Sequence, residues 1–259
     1  MLIMTSSQSK FLRTKKLYHY TSIESAISIL SSNKFRMSKL ENSNDINESH
    51  ILVSCHIDIA NSNGDNEKHI NVAEQQLKFV RQASFSIDGA NPGFAIPSMW
   101  GHYAKKGIGV CIVFNKAKLL ANLDGSKSVF YKEVEYVSDY KPCITIDADF
   151  KSFFQKGTSF DDIFFKKDNS WECEQEFRIV TDSEIEHEEF DVTGSIIAII
   201  MCYTEDSGRH ESCFGSDAYR KLKSQFHDYP ILEWSNAECG CNLRDADGNQ
   251  WYPQHGTFI

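Results

Sequence analysis

The sequence predicts an α+β fold built as a single domain. Helix patterns are concentrated before residue 81, strand patterns are interleaved with them through the chain, and no linker or internal repeat divides it. The length of 259 residues fits one large domain or two small ones, and the lack of a linker favours one. Residues 1–14 are polar and weakly basic and are predicted to form a flexible arm, which leaves residues 15–259 as the domain.

The first predicted elements are a short strand and a helix that follows it directly. The strand covers residues 17–20, and strand alternation puts His19 on the opposite face from its two tyrosine neighbours. Thr21 and Glu24 have the spacing of a capping box, and apolar residues then recur at helical spacing. Asn33 follows the last of them and is predicted to end the helix.

The remaining elements follow from hydrophobic periodicity. Helices are predicted over residues 51–59, 70–80, 150–165 and 216–226. Strands are predicted over residues 35–38, 83–87, 108–114, 129–137, 176–181 and 196–203. The last of these is apolar throughout and is therefore predicted to be central in a sheet. The final stretch, with its glycines and proline, is predicted to be irregular.

The charge balance and the apolar runs exclude two classes of protein. Lys and Arg total 27 against 36 Asp and Glu, a formal net charge of -9, which argues against indiscriminate coating of nucleic acid. One specific nucleic-acid substrate remains open. No apolar run is long enough to cross a bilayer and no signal-peptide pattern is present, so no membrane partner is expected.

The cysteines predict free thiols and a cytoplasmic protein. Eight cysteines are scattered along the chain without a dense framework. Cys239 and Cys241, with Cys202, His210 and Cys213 upstream, raise the question of zinc. Their spacing does not match the Cys-x₂₋₄-Cys pairs of structural zinc sites, so no metal is predicted, although this sequence alone does not decide it.

Three clusters could carry chemistry: Tyr18–Ser22, Ser98–Ala104 and Trp171–Arg178. The third is the most specific, because Glu174, Glu176 and Arg178 would share one face of a strand. Charges in register on an apolar strand are costly unless they are exposed, paired or used. Either a solvated edge strand with a Glu176–Arg178 pair or a functional site satisfies this pattern.

The first two clusters have structural readings as well as functional ones. His19 could be a packed, hydrogen-bonded strand residue, and Trp100 and Tyr103 could be core residues of a helical turn. Gly107 and Gly109 do not make a dinucleotide fingerprint, because they precede a strand and do not open a helix.

Together the clusters resemble a bacterial family catalogued as domain of unknown function 2971. The family's recurring motifs correspond here to Tyr18–Tyr20, Asn44–Glu48, Met99–Tyr103 with Gly107–Phe114, and Trp171–Arg178. Ile46 replaces the usual proline, so the second motif is expected to have a different loop shape. The resemblance covers roughly Leu17 to Val180 and implies no activity by itself.

The clusters also resemble, more distantly, those of ADP-ribosyltransferases, and this resemblance implies an enzymatic activity. The segment Tyr18–Ser22 with Ile27–Leu30 is similar to their first strand and helix, and Glu174-Gln-Glu176 to their final motif. The resemblance implies a split, mixed or antiparallel sheet with helices packed on it. It also implies cleavage of the nicotinamide–ribose bond of NAD and transfer of ADP-ribose to a protein, a nucleic acid or water.

The same resemblance implies roles for individual residues. Glu176 would stabilise an oxocarbenium-like transition state, as carboxylates do in glycoside cleavage, and Glu174 would bind or deprotonate the acceptor. His19 would hold a ribose or the carboxamide, and Tyr103 or Trp100 would stack on nicotinamide. Further NAD contacts are expected from the following residues: Tyr20, Thr21, His102 and Arg36.

Two other functions stay open from the sequence. The same fold could lack catalysis and serve as a ligand-binding or regulatory module. A nuclease would need acidic residues to hold Mg²⁺, and only Glu174, Glu176, Asp45 and Glu48 could serve. By analogy with bacterial proteins of this kind, the expected role is a toxin or anti-phage defence effector, with a defence-system or antitoxin partner.

Overall fold

The computed structural model describes most of the chain, with several gaps. The described residues are 6–43, 45, 56–60, 71, 75, 77–123, 129–140, 143–147, 158–202, 204–206, 209–237 and 240–252. Among these residues, no helix is both long enough and apolar enough to cross a membrane.

Helices and strands alternate irregularly along the described chain. The helices are α1 (Ser6–Arg13), α2 (Ile23–Ser32), α3 (Pro97–His102), α4 (Lys116–Leu123), α5 (Thr158–Phe164) and α6 (Asp217–Gln225). The first strands are β1 (Lys16–Thr21), β2 (Lys34–Arg36), β3 (Ser38–Lys39), β4 (His56–Ala60), β5 (Val80–Ser86), β6 (Val110–Asn115), β7 (Val129–Glu133), β8 (Glu135–Val137) and β9 (Cys143–Asp147). The later strands are β10 (Lys166–Asp168), β11 (Glu176–Asp182), β12 (Glu189–Asp191), β13 (Ile196–Cys202), β14 (Thr204–Asp206), β15 (Arg209–Glu211), β16 (Ile231–Ala237) and β17 (Gly240–Arg244).

The chain divides into two compact units, each assembled from separate segments. Unit 1 consists of Met1–Phe35, Phe85–Asp124 and Asp191–Ile259. Unit 2 consists of Arg36–Ser84 and Gly125–Phe190. Because neither unit is a continuous stretch, no single linker separates them, and the single domain expected from the sequence stays a prediction.

Unit 1 contains a mixed sheet in the strand order β17-β16-β13-β6-β1. The β13–β16 pair is parallel, whereas β1–β6, β6–β13 and β16–β17 are antiparallel. Strand β6 is buried along almost its whole length because it lies between β1 and β13. The apolar strand β13 is likewise internal, as the sequence predicts.

The two faces of the unit 1 sheet bury different residues. One face carries an aromatic core that includes Tyr18, Tyr20, Trp100 and Trp234. Alternation along β1 puts His19 on the other face, where its ring contacts those of Phe35 and Phe85. This arrangement confirms the predicted alternation of the first strand.

Unit 2 contains the strand order β3-β5-β11-β7, together with two short parallel pairs. Strand β11 lies between β5 and β7, and its residues from Glu176 to Thr181 are all buried. The parallel pairs are β8–β10 and β4–β9. The α+β class and the mixture of parallel and antiparallel strands are thereby confirmed.

Several predicted elements differ from those observed. Residues 6–13, predicted to lie in a flexible arm, form α1, and Phe11 of this helix packs edge-on against Trp251. Ser22, and not Thr21, caps α2 by accepting a hydrogen bond from the backbone of Ser25. Residues 56–59, predicted to be helical, belong to β4, and the rest of that predicted helix lies outside the described residues.

Candidate active site

A buried ion pair opens strand β11. Both carboxylate oxygens of Glu176 accept hydrogen bonds from Arg178, from Nε to Oε1 at 2.8 Å and from Nη2 to Oε2 at 2.8 Å. The third nitrogen of the guanidinium, Nη1, donates to the carbonyl of Phe164 at 2.8 Å, at the end of α5. Arg178 is 0% exposed and Glu176 is 4% exposed. The bidentate geometry therefore fixes the orientation of the carboxylate.

Lys167 joins this pair to a second carboxylate. Its ammonium lies 2.9 Å from Oε2 of Glu174 and 2.9 Å from Oε2 of Glu176. The same nitrogen lies 5.2 Å from the centre of the Trp171 ring, which is a cation–π contact. Two cations thus balance two carboxylates in a buried cluster, which meets the requirement that buried charges be paired.

Two hydroxyl groups complete the contacts of Glu176. The backbone N–H of Glu176 donates to the Tyr136 hydroxyl at 2.8 Å, and the pairing of β8 with β10 puts Tyr136 opposite Lys167. The hydroxyl of Ser84 donates to the Glu176 carboxylate, and Ser84 is exposed. The carboxylate is therefore buried, but one of its hydrogen-bond partners belongs to an exposed residue.

The strand prediction for this motif is right for Glu176 and wrong for Glu174. Residues Asn169–Glu174 form a 3₁₀ helix, and Gln175 has left-handed backbone angles, φ 47° and ψ 53°. The two carboxylates therefore do not share a strand face, and the bend at Gln175 brings both of them onto Lys167 instead. The expected Glu176–Arg178 pair is confirmed, but it is buried in an internal strand and is not a solvated edge.

Sequence reasoning missed Lys167, Tyr136 and Ser84. Burial of two carboxylates with only one arginine nearby in sequence leaves a charge to be balanced, and this is the signal that points to a further cation. Lys166 and Lys167 both follow the apolar end of α5. Strand alternation leaves Lys166 half-buried, where it pairs with Asp162 at 2.7 Å, and buries Lys167.

In unit 1, His19 is half-buried among aromatic rings. Its ring centroid lies 4.6 Å from that of Phe35 and 5.8 Å from that of Phe85. These contacts match the structural reading of His19 and do not test its proposed contact with NAD.

Tyr20 and Trp100 come together on the opposite face of that sheet. Their rings are 5.2 Å apart and edge-on, and Trp100 stacks on Trp234 at 5.4 Å with an interplanar angle of 7°. The indole N–H of Trp100 donates to the Phe94 carbonyl at 2.8 Å. Trp100 is 3% exposed and its ring packs in the aromatic core, whereas Tyr103 is half-buried. The stacking role expected for Tyr103 or Trp100 stays a prediction.

The three other predicted contact residues lie near the surface. His102, the last residue of α3, is exposed, and Arg36, in β2 of unit 2, is exposed as well. Thr21 ends β1 of unit 1 and is half-buried. The described structure tests none of their proposed roles.

Gly107 and Gly109, which follow α3, form backbone hydrogen bonds within a tight turn. The N–H groups of Gly107 and Gly109 both donate to the carbonyl of Ala104, at 3.0 and 2.8 Å. Lys105, Lys106 and Gly107 all have positive φ, at 46°, 59° and 89°. This left-handed turn brings the chain into β6, and its glycine N–H groups are therefore engaged by the protein itself.

The motif and metal candidates that involve residues 44–48 and 239 fall mainly outside the described residues. Asp45 is described and buried, whereas Asn44, Glu48 and Cys239 are not described. Within the described part of the chain, His, Cys, Asp and Glu form no group of three that could hold a metal ion.

The buried cluster predicts that stability falls in acid. Burial alone would raise the pKa of Glu176, but the charges of Arg178 and Lys167 and the hydrogen bonds from Arg178 and Ser84 together outweigh burial and hold this pKa well below its usual value of 4.5. A carboxylate with a depressed pKa stabilises the fold above its unfolded pKa and loses that contribution as the pH falls. We therefore expect the free energy of unfolding to fall below about pH 4.5, by about 1.4 kcal/mol per pH unit for this one group.

Chemical denaturation between pH 3 and pH 7 measures this slope. Glu233, whose pKa is also lowered, contributes with the same sign and is unaffected by a change at Glu176. In Glu176→Gln the free energy of unfolding is therefore expected to fall less steeply with decreasing pH, but still to fall. An identical slope in the two proteins would contradict the assignment to Glu176.

Comparison with known proteins reaches only part of this chain. A family model described as "Protein of unknown function (DUF2971)" matches residues 99–179. The matched region includes all but the first two residues of α3, the glycine turn and the start of β11 with Glu176 and Arg178. No curated protein and no solved structure matches, and nothing in these comparisons supports the resemblance to ADP-ribosyltransferases. Over residues 99–179, this chain is thus similar to the DUF2971 family of proteins of unknown function.

Proposed function

We propose that this chain is an ADP-ribosyltransferase-like enzyme that cleaves the nicotinamide–ribose bond of NAD and transfers ADP-ribose to a protein, a nucleic acid or water. The observation that carries the proposal is the state of Glu176. Its carboxylate is ionised, fixed in orientation by Arg178, and accepts a hydrogen bond from Ser84, which is an exposed residue. A carboxylate that is fixed in orientation and bonded to an exposed residue is suited to bind a ribose hydroxyl at that point.

The chemistry follows from the bond that breaks. The C1′–N bond of NAD gives its electron pair to nicotinamide, and positive charge develops on the ribose ring. A preorganised carboxylate stabilises that charge without reorganising at the moment of reaction. A ribose hydroxyl would replace the Ser84 hydroxyl at Glu176, and an acceptor group would then attack C1′ and give its proton to Glu174.

The proposal also includes NAD contacts for residues of unit 1 and for Arg36, which the chemistry at Glu176 does not test. His19 would hold the carboxamide or a ribose, and Tyr103 or Trp100 would stack on nicotinamide. Contacts to the rest of NAD are proposed for Tyr20, Thr21, His102 and Arg36. The role expected from analogy, a toxin or defence effector with an antitoxin or defence-system partner, is part of the same proposal.

Nicotinamide release from NAD tests the proposal. Glu176→Gln is expected to lower the rate by about 10²–10³, the usual effect of removing one electrostatic partner of a transition state. Glu172→Gln is the matched control, because Glu172 lies in the neighbouring 3₁₀ helix and is exposed. Circular dichroism shows whether each variant is folded.

Equal nicotinamide release by the wild-type protein and a folded Glu176→Gln variant would remove the assignment. Transfer of label from adenine-labelled NAD to added protein or nucleic acid then identifies the acceptor. Release without transfer indicates that water is the acceptor.

A second function, a non-catalytic ligand-binding or regulatory module, is favoured by one specific observation. Both oxygens of Glu176 are engaged by Arg178, and one also contacts Lys167, so much of its charge is already balanced. Calorimetric binding of NAD without any release of nicotinamide, equally in wild type and Glu176→Gln, would support this function over the first.

A further inference from the structure

Lys167 holds the two carboxylates in a different way from Arg178. Arg178 makes a bidentate contact with Glu176 and is anchored to the Phe164 carbonyl, so it fixes the orientation of that carboxylate. Lys167 bridges Glu174 and Glu176 with two contacts of 2.9 Å each. Its ammonium therefore fills the space between the two carboxylates.

Lys167 also closes a short segment of chain over the site. The segment 166–175 contains β10, the 3₁₀ helix and the left-handed Gln175. The Lys167–Glu174 ion pair joins the two ends of this segment across seven positions. The Trp171 ring, in the middle of the segment, contacts the same ammonium. One nitrogen thus holds both ends of the segment and its centre.

The Lys167 ammonium and the substrate of the proposed reaction would both place a positive charge beside Glu176. In the proposed reaction a positive charge develops on the ribose next to Glu176, and the acceptor contacts Glu174. In the observed arrangement the Lys167 ammonium already lies 2.9 Å from Oε2 of each carboxylate. A ribose cation and a lysine ammonium compete for the same negative charge.

We propose that Lys167 is an internal counter-ion that keeps the Glu174–Glu176 pair inactive until its ammonium moves away. This inference rests on the proposed function and adds a form of regulation to it. Displacement of the ammonium removes one cationic contact from Oε2 of each carboxylate and releases the segment 166–175. Any partner that draws Lys167 or Trp171 outward would therefore activate the site.

The decisive variant is Lys167→Met, with Lys166→Met as the matched control. Lys166 is the preceding residue in β10, but it pairs with Asp162 and not with the two glutamates. Lys167→Met is expected to raise nicotinamide release by about tenfold to a hundredfold, the equivalent of one lost hydrogen bond between charged groups. Lys166→Met is expected to leave the rate unchanged.

The double variant Lys167→Met with Glu174→Gln keeps the inference testable if the single variant Lys167→Met fails to fold. It removes one cation and one carboxylate together, so the Glu176–Arg178 pair remains balanced. It is expected to raise nicotinamide release like the single variant, because bond cleavage depends on Glu176. Hydrogen exchange of the amides in 166–175 is expected to accelerate by about tenfold in both variants and not in Lys166→Met.

The two readouts separate failure of this inference from failure of the proposed function. Lower or unchanged nicotinamide release in the folded Lys167 variants, with activity in wild type, would overturn the counter-ion role and leave the enzyme standing. Unchanged hydrogen exchange would overturn it as well. Faster exchange with no nicotinamide release in any variant would confirm that Lys167 closes the segment, overturn its inhibitory role and remove the proposed enzyme function.

Discussion

Replacing Arg178 with methionine is expected to lower the free energy of unfolding by about 3–5 kcal/mol, the usual cost of breaking a buried ion pair from one side. Arg178 is fully buried and makes two hydrogen bonds to Glu176 and one to the Phe164 carbonyl. Its removal leaves the Glu176 carboxylate with Lys167 as its one remaining cation among the described contacts, while Lys167 must still balance Glu174.

Urea denaturation followed by circular dichroism measures this effect. Arg220→Met is the matched control, since the Arg220 side chain is 63% exposed and pairs with Asp217 on the surface of α6. Surface pairs contribute about 0–1 kcal/mol, so the control is expected to change little. Equal losses in the two variants would show that the Glu176–Arg178 pair contributes no more than a surface pair.

A double replacement distinguishes burial of charge from loss of packing. Arg178→Met combined with Glu176→Met removes both partners and leaves the Lys167–Glu174 pair intact. Buried ion pairs replaced by apolar residues of similar volume are often as stable as the original. The double variant is therefore expected to be more stable than Arg178→Met alone, which a thermodynamic cycle measures directly.

Local sequence patterns correctly predict helix ends and internal strands of this fold. The end of α2 at Asn33, with its left-handed φ of 52°, and the internal strands β6 and β13 follow from spacing and apolar character alone. The sequence patterns predict no strand over Ile231–Ala237 and an irregular final stretch, yet β16 pairs with both β13 and β17. Buried Glu233 interrupts the apolar pattern of β16, and Arg244 on β17 balances its charge. Such distant pairing carries no local signal.

In the candidate site too, local spacing predicts some contacts, whereas others depend on distant pairing. The pairing of Glu176 with Arg178 could be predicted because alternate residues of one strand share a face. The position of Glu174 could not, because Gln175 adopts a left-handed conformation that is uncommon for any residue except glycine and asparagine. Lys167 balances the cluster only because β10 pairs with β8 and the segment to Glu174 folds back, which no spacing rule reveals.

Replacing Gly109 with alanine is expected to destabilise the protein by about 3 kcal/mol, at the upper end of the range for adding a methylene to a packed interior. A β-carbon at this position would lie 2.3 Å from the carbonyl oxygen of Thr21 and 2.9 Å from both the Cα and the carbonyl oxygen of Ala104. All three atoms belong to the backbone, so no side chain can rotate away. Either the end of β1 or the turn before β6 must move.

Gly101→Ala is the control for this substitution, because a β-carbon there meets no atom within 4 Å and α3 favours alanine over glycine. Gly101→Ala is expected to be neutral or to add up to about 1 kcal/mol of stability. The contrast between the two glycines, eight residues apart in the same motif region, separates close backbone approach from the ordinary cost of changing a glycine. If thermal unfolding shows Gly109→Ala to be as stable as Gly101→Ala, the tight contact between the glycine turn and β1 is not present in solution.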